Sequence, residues 1–417
     1  MLKRLRLPVT IVAALVVAEA AVFFMRPRDG LTPVDVAPQT YFSTAFIERA
    51  EDFRGGQLLL YGVRLALELG LLVYVVRRPP AVLKRHLNRP VLAGAVAAAG
   101  LSVAITLATL GPAIISRERA KDVGLVTQGW GGYARDLVVG TAIGAVIVAA
   151  GGALLIFMLR RFGRRWWVPA TAVVLAFGVV SIYAGPILID PAFNTFKRLP
   201  DGELRSSVLD LAQRADVNVG EVYVMDASRR TTAANAYVAG LGSTKRVVLF
   251  DTLLNDFTPR EVEGVVAHEL GHVHYRDVPH GLLYLAIVAP FGMLAVARLS
   301  ERVTPRDAGL VAAVPAVALS IAVLVPAISA ISNQLSREVE ARADRFSMEL
   351  TRDPQELIAF QKRITMQNVS DPDPPGWVTF LLATHPTAMQ RIGQALAFER
   401  RLTPPEAARG GGTPGGS

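Results

Sequence analysis

Apolar residues are gathered into seven long runs, and this pattern is the first structural signal in the chain. Because about 20 apolar residues are needed to cross a bilayer, each run is long enough to form a transmembrane helix. The first run lacks a small-residue cleavage site before Met25, so we expect a retained helix, not a cleaved signal peptide. The runs cover approximately residues 7–25, 57–76, 91–115, 137–159, 167–189, 279–297 and 308–331.

The polar stretches between and after these runs predict a second kind of structure. An amphipathic helix is expected at 201–215. β-Branched residues predict short strands at 221–226 and 245–250, with a third possible strand at 235–240 between them. A polar helical segment at 336–368 and a final helix at 386–400 follow the seventh run. The pattern therefore predicts a mainly α membrane protein that carries a small α+β domain.

Two charged residues interrupt the second apolar run. Arg64 and Glu68 stand one helical turn apart. Ionisable side chains inside a span usually face a partner helix or a wet cavity. We expect the second span to border protein or water along that side.

Composition and charge agree with a membrane protein. The chain has 417 residues, of which 52% are hydrophobic, and a net charge of +9. The basic residues cluster beside the apolar runs, as topology signals and lipid-headgroup contacts do. No basic groove interleaved with aromatic residues is evident, so the expected partner is the lipid bilayer and not nucleic acid. The chain has no cysteine, so any bound metal must be held by nitrogen and oxygen ligands.

The most specific chemical signal is His268-Glu269-Leu270-Gly271-His272. Two histidines four apart lie on one face of a helix and can reach one metal ion. Glu269 stands beside the first histidine, where it can take a proton from metal-activated water. This is the H-E-x-x-H pattern of zinc peptidases. Upstream, Thr258-Pro259-Arg260-Glu261 predicts an N-cap with a capping-box glutamate.

A third metal ligand is expected from the helix that follows the seventh run. The sixth and seventh spans are joined by a short loop, so the chain must return to the membrane face that holds His268 and His272. Glu340 and Asp344 share one face of the returning helix, whereas Glu338 points away from them. We expect Glu340 to bind zinc and Asp344 to orient a ligand histidine. The alternative is a solvated helix with ordinary Glu/Arg pairs.

Taken together, these residues make the chain similar to the integral-membrane zinc metallopeptidases of the Ste24 type, the CAAX prenyl proteases, within the wider M48 family. After His272 the sequence has Val273 and Asp277, where eukaryotic members often have Trp and a later His; this form resembles bacterial members. The specific matches are Asp190–Asn194 with Leu199–Leu204, Asn235–Tyr237 with Gly240, Arg246–Leu254, the His268–His272 core, Ser336–Arg337 with Glu340 and Ala343–Asp344, and His385–Pro386 with Arg391.

The resemblance implies a complete set of site residues. It implies one Zn²⁺ per chain bound by His268, His272 and Glu340, with Glu269 as the base and His385 near the scissile bond. It also implies a strand at Asn235 that pairs with the substrate backbone. The expected substrate-binding residues are Asn235, Ala236, Tyr237 and Arg391.

The resemblance also implies seven transmembrane helices that enclose a water-filled chamber and are capped by the catalytic domain. We accordingly divide the chain into a five-span membrane domain at 1–189, a zinc-peptidase domain at 190–408 that includes spans six and seven, and a disordered tail at 409–417.

The expected function is a membrane-embedded zinc metalloendopeptidase acting on a membrane-associated or unfolded peptide, in a bacterial plasma membrane. One alternative is an intramembrane zinc protease of the site-2 type, which would place the motif inside a span. Another is a seven-span scaffold or transporter with a non-catalytic metal site. The basic loops favour an external catalytic domain, whereas the resemblance implies a cytosol-facing one. Natural substrate and oligomeric state do not follow from the sequence.

Overall fold

Seven helices of the described chain are long and apolar enough to cross a membrane, in agreement with the seven predicted spans. The computed structural model describes residues 2–28, 30–80, 88–240, 242, 245–306 and 308–402, so the predicted tail at 409–417 lies outside the described residues. The first part of the chain forms α1 (Leu2–Met25), α2 (Thr44–Arg77), α3 (Pro90–Ala108), α4 (Leu110–Asp122), α5 (Trp130–Phe162), α6 (Trp167–Leu188) and the short α7 (Asp190–Phe193).

The second part combines a small sheet with eight further helices. The helices are α8 (Glu203–Arg214), α9 (Asp251–Asp256), α10 (Pro259–His274), α11 (Asp277–Val303), α12 (Ala313–Thr351), α13 (Pro354–Gln367), α14 (Gly376–Leu382) and α15 (Ala388–Leu402). The strands are β1 (Phe196–Arg198), β2 (Glu221–Met225), β3 (Ala236–Ala239) and β4 (Arg246–Phe250).

The sheet is mixed, and β3 lies at one end of it. The strand order is β1-β2-β4-β3, with β2 and β4 parallel and the two outer pairs antiparallel. Three of the strands were predicted; the three-residue β1 was missed because it is too short to show an alternating pattern. As the end strand, β3 has a backbone edge that β4 does not use.

Apolar side chains of the sheet and of α8 and α10 form one core beneath the strands. Val208 of α8, Val247 and Leu249 of β4, and Val266 and Leu270 of α10 are fully buried in it. Burial of this face holds α10 against the sheet. The opposite face of α10 packs against α12.

Helix α10 approaches α12 closely through small residues. A Cβ atom on Gly271 would lie 3.1 Å from Phe346 Cδ1 and 3.4 Å from Ala343 Cα. The buried hydroxyl of Ser347 donates to the carbonyl of Gly264 at 2.8 Å. This contact brings the carboxylates of α12 to the histidines of α10.

Two predicted boundaries were wrong. The third apolar run at 91–115 breaks at Thr109, because Pro112 has no N–H to continue the helix. The polar segment at 336–368 is two helices. Arg352 turns the chain with φ 61°, and Asp353 caps α13 by accepting from the N–H of Glu356 at 3.1 Å.

Candidate metal centre

Helix α10 begins where the sequence predicts. The Thr258 side chain accepts from the N–H of Glu261, and the Glu261 carboxylate accepts from the N–H of Thr258. This capping box stabilises the first turn of the helix. His268, Glu269 and His272 are thereby carried on a rigid helix that ends before the sixth span begins at Asp277. The motif is therefore outside the spans, which excludes the site-2 arrangement.

Three side chains converge on one point beneath α10. His268 Nε2 lies 3.2 Å from His272 Nε2 and 3.2 Å from Glu340 Oε2. His272 Nε2 lies 3.6 Å from Glu340 Oε1. The three residues are a group able to hold one metal ion.

The donor set suits zinc. Each histidine Nδ1 lies 2.9 Å from a carboxylate oxygen, which places the proton of a neutral ring on Nδ1 and the lone pair on Nε2. Two lone pairs and a carboxylate then face one another and require a cation between them. Tetrahedral ligands at about 2.0–2.1 Å from zinc lie about 3.3–3.4 Å apart, close to the observed separations.

Without a metal ion, a proton on His268 can supply the positive charge that these three groups require. Burial alone would lower the pKa of His268, but the flanking carboxylates of Asp344 and Glu340 outweigh it and raise the pKa to about 10. A metal ion would replace this proton, so metal binding is coupled to proton release.

Both histidines are supported by a carboxylate that is itself held by an arginine. Asp344 contacts His268 Nδ1 and accepts from Arg391, whose Nε donates to Asp344 Oδ2 at 2.7 Å. Asp277 contacts His272 Nδ1 and pairs with Arg342. Asp344 therefore lies where the sequence predicted a histidine-orienting group. Arg391, predicted to contact substrate, is engaged with Asp344.

Glu269 faces an open cleft next to the three converging residues. The cleft has a volume of about 590 Å³, and Glu269, His268, Asn235 and His385 line it. Burial raises the pKa of Glu269. The carboxyl group is thus better suited to accept a proton than an exposed glutamate.

His385 lies at the rim of the same cleft. Its Nε2 is 3.3 Å from Glu340 Oε2, and its side chain is 58% exposed. Thr384 Oγ1 lies 2.9 Å from the other ring nitrogen, Nδ1. The ring is therefore close to the converging acceptors while remaining accessible to a ligand.

The predicted substrate strand lies beside the cleft with its side chains divided between two faces. Asn235 is exposed to the cleft, whereas Ala236 is buried in the core. The Tyr237 hydroxyl donates to Asp190 Oδ2 at 3.1 Å, and burial, followed by the charge of Asp190, raises its pKa. The N–H of Phe250 donates to the carbonyl of Asn235, so in this antiparallel pair the backbone groups of Tyr237 face β4 and those of Ala236 face away from it. Of the two residues, Ala236 can therefore offer a ligand its backbone groups.

Sequence reasoning missed two features of the cleft. Glu356 of α13 is a buried acid that packs on Gly264 of α10. Arg54 of α2 and Asp371, paired at 3.3 Å, also line the cleft. These residues are distant in sequence from the motif, and no local pattern marks them.

Comparison with known proteins gives consistent similarities. A family model described as "Peptidase family M48" matches residues 198–399, and one described as "CAAX prenyl protease N-terminal, five membrane helices" matches 120–195. The uncharacterized metalloprotease YhfN of Bacillus subtilis is 31% identical over 71% of each chain. CAAX prenyl protease 1 of Saccharomyces cerevisiae is 38% identical, over 33% of this chain and 31% of the yeast protein.

A solved structure shares the fold. The crystal structure of S. mikatae Ste24p superposes with a TM-score of 0.69 over 93% of this chain and 98% of that chain, at 20% identity. The agreement supports the predicted arrangement of seven membrane helices with a small mixed-sheet domain.

Proposed function

The chain belongs to peptidase family M48 and is a multi-pass, membrane-embedded metalloprotease, and from this membership we propose that its own residues form a zinc metalloendopeptidase site. His268, His272 and Glu340 would hold one Zn²⁺ per chain. The observation that carries the proposal is the convergence of three acceptor groups beside Glu269 in an open cleft. A scaffold with a non-catalytic metal would need neither the glutamate nor the cleft.

The residues divide the work of peptide hydrolysis. Zinc, when bound, supplies a Lewis acid that activates water and polarises the scissile carbonyl. Glu269 accepts the proton from water and delivers it to the leaving amine. His385 donates a hydrogen bond to the oxygen on which negative charge develops. Asp344 and Arg391 hold His268 in position from behind.

Substrate would bind as an additional strand on β3. The end position of β3 leaves backbone groups that β4 does not use, and Asn235 faces the cleft. Strand addition gives affinity through main-chain hydrogen bonds and little sequence selectivity. This favours membrane-associated or unfolded peptides as the substrate class, of which the CAAX peptides named for the eukaryotic relatives are one case.

A series of peptides with single backbone N-methyl groups tests strand addition. Alternate positions near the cleaved bond should abolish cleavage, because only every second N–H of an added strand faces β3. Uniform tolerance along the peptide would contradict this binding mode and leave the zinc assignment intact.

Zinc analysis and cleavage of an unfolded peptide test the site itself. Wild-type protein should contain one zinc, and Glu340→Ala and His272→Ala should lose most of it. Glu269→Gln should keep zinc and lose activity by about 10²–10⁴-fold or more, the usual contribution of a general base. Activity of Glu269→Gln within about tenfold of wild type would show that another group is the base.

The proposed location is the plasma membrane of a bacterium, supported by the Bacillus relative. Protease protection of an epitope fused after Leu402 would determine which side the catalytic domain faces.

A further inference from the structure

His272, the second of the proposed zinc ligands, is contacted by an aspartate that pairs with an arginine on another helix. Asp277 Oδ2 lies 2.9 Å from His272 Nδ1. Asp277 Oδ1 accepts from Arg342, which stands on α12 two residues after Glu340. The Arg342 guanidinium lies over the Tyr275 ring, 4.2 Å from its centroid.

A break between two helices makes this contact possible. In a continuous helix, a residue five positions after His272 would point about 140° away from it. Here α10 ends at His274 and α11 begins at Asp277, with Arg276 in the left-handed region at φ 55° and ψ 44°. The turn brings Asp277 back to the imidazole. The left-handed conformation is unfavourable by roughly 1–2 kcal/mol for a non-glycine residue. The contacts that the turn allows must offset this free-energy cost.

The arrangement repeats, at the second histidine, what Asp344 and Arg391 do at the first. The side chains of Asp344 and Arg391 are 0% and 14% exposed, and those of Asp277 and Arg342 are 10% and 18% exposed. Both pairs place an anion on Nδ1 and a guanidinium behind the anion. Both pairs link a histidine of α10 to α12, the helix that carries Glu340. Asp344 does so directly, whereas Asp277 of α11 reaches α12 through Arg342.

We propose that Asp277, held by Arg342, is a positioning residue that orients His272 and sets its distance from Glu340, and so controls the affinity for zinc. The inference rests on the proposed ligand set. An anion on Nδ1 makes Nε2 a stronger ligand and restricts the rotation of the ring. The salt bridge to Arg342 keeps that anion charged and in place.

Zinc affinity of the full-length protein, measured by competition with a chelator, tests the proposal. Asp277→Ala should weaken zinc binding by about 10–100-fold, the usual effect of losing a group that orients a metal ligand. Asp277→Asn should retain part of the affinity, because its carbonyl oxygen can still accept from Nδ1–H. Arg342→Met should fall between wild type and Asp277→Ala.

A spectroscopic readout separates positioning from general stability. Cobalt-substituted Asp277→Ala should show an altered visible absorption spectrum, because the ligand geometry changes around the metal. The matched control is Asp136→Ala, which removes a comparably buried pair, Arg230–Asp136, that touches neither histidine. This control should lower the melting temperature and leave zinc affinity and the cobalt spectrum as in wild type.

Wild-type zinc affinity and cobalt spectrum in Asp277→Ala would overturn the inference. An equal loss of zinc affinity in Asp136→Ala would also overturn it, since the effect would then reflect stability alone. Failure of the wild-type protein itself to bind zinc would instead overturn the proposed ligand set, and this inference with it.

Discussion

At the scale of single residues, the site is a set of charged groups whose roles depend on their burial. Asp344 is fully buried between His268 and Arg391. His385 instead contacts the carboxylate of Glu340 from the exposed rim of the cleft. A buried charge is tolerated only when it is paired and hydrogen-bonded. The buried groups therefore hold the site together, and the exposed one is available to a substrate.

Replacing His385 should separate catalysis from metal binding. We expect His385→Ala to lower kcat by about 10²–10³-fold, the usual cost of losing a donor to a developing oxyanion. Zinc content should stay at the wild-type level, because His385 is outside the group of three residues proposed to hold the metal. The control is His280→Ala, an exposed histidine outside the cleft. Parallel loss of zinc and activity in His385→Ala would identify it as a ligand.

Glu356 should make stability depend on pH. Burial, followed by the charges of Asp353, Glu261 and Glu263, raises its pKa from 4.5 to about 9. Between pH 4.5 and about pH 9, Glu356 is deprotonated in the unfolded chain and protonated in the folded protein. Stability therefore falls as pH rises, by at most about 1.4 kcal/mol per pH unit from this group.

Glu356→Gln should remove that dependence. The melting temperature of the variant, relative to that of wild type, should be higher at pH 8 than at pH 5. Glu349→Gln, which changes an exposed glutamate of α12, should show no such gain. A constant difference between Glu356→Gln and wild type across this range would contradict the raised pKa.

At the scale of elements, the contact between α10 and α12 decides whether the proposed metal ligands meet. His268 and His272 belong to one helix and Glu340 to the other, so the distance between the helix axes sets the distance between ligands. Gly271 permits this approach because the space beside it is filled by Phe346 and by the backbone at Ala343. Packing of α10 on the sheet holds the other side of the helix.

Gly271→Val should therefore disturb the metal site through the helix pair. The added side chain must push α10 from α12, and overpacking of this kind typically costs about 1–3 kcal/mol. Zinc content and melting temperature should both fall. The matched control is Gly281→Val on α11, where nothing lies within 4 Å of an added Cβ. Normal zinc content in Gly271→Val would show that the close approach is not required.

At the scale of the whole molecule, the membrane helices position the site at the membrane surface. Their charged residues predict a water-filled space between the helices. Helices α11 and α12 are candidate spans that begin or end within the metal centre, since Asp277 opens one and Glu340 lies near the end of the other. Arg64 is exposed and Glu68 half-buried on α2, within another candidate span. Charged side chains at that depth favour an aqueous chamber enclosed by the helices.

The absence of cysteine makes the chamber directly testable. In membranes, a single cysteine in Glu68→Cys should react with a water-soluble, membrane-impermeant maleimide. A cysteine in Ala66→Cys, about 200° around the helix, should face lipid and react poorly. Equal protection of both positions would contradict a chamber bordered by α2.

Local chemistry explains which features the sequence determined by itself. The seven spans follow from the length of the apolar runs. The start of α10 follows from its capping box, and the shared face of His268 and His272 from their spacing. Glu340 and Asp344 could be predicted because antiparallel spans constrain where the chain returns. Each of these depends on neighbours in sequence or on simple connectivity.

Only the tertiary structure decided how the site is supported. Asp277 reaches His272 because of one left-handed residue, Arg276, whose conformation no local pattern indicates. Arg391 of α15 pairs with Asp344, and the carboxyl group of Glu356 on α13 is buried against Gly264. Both residues lie far along the chain from the groups that they contact. The physical reason is that spacing along a helix determines which face a side chain occupies, whereas the packing of distant elements determines what it meets there.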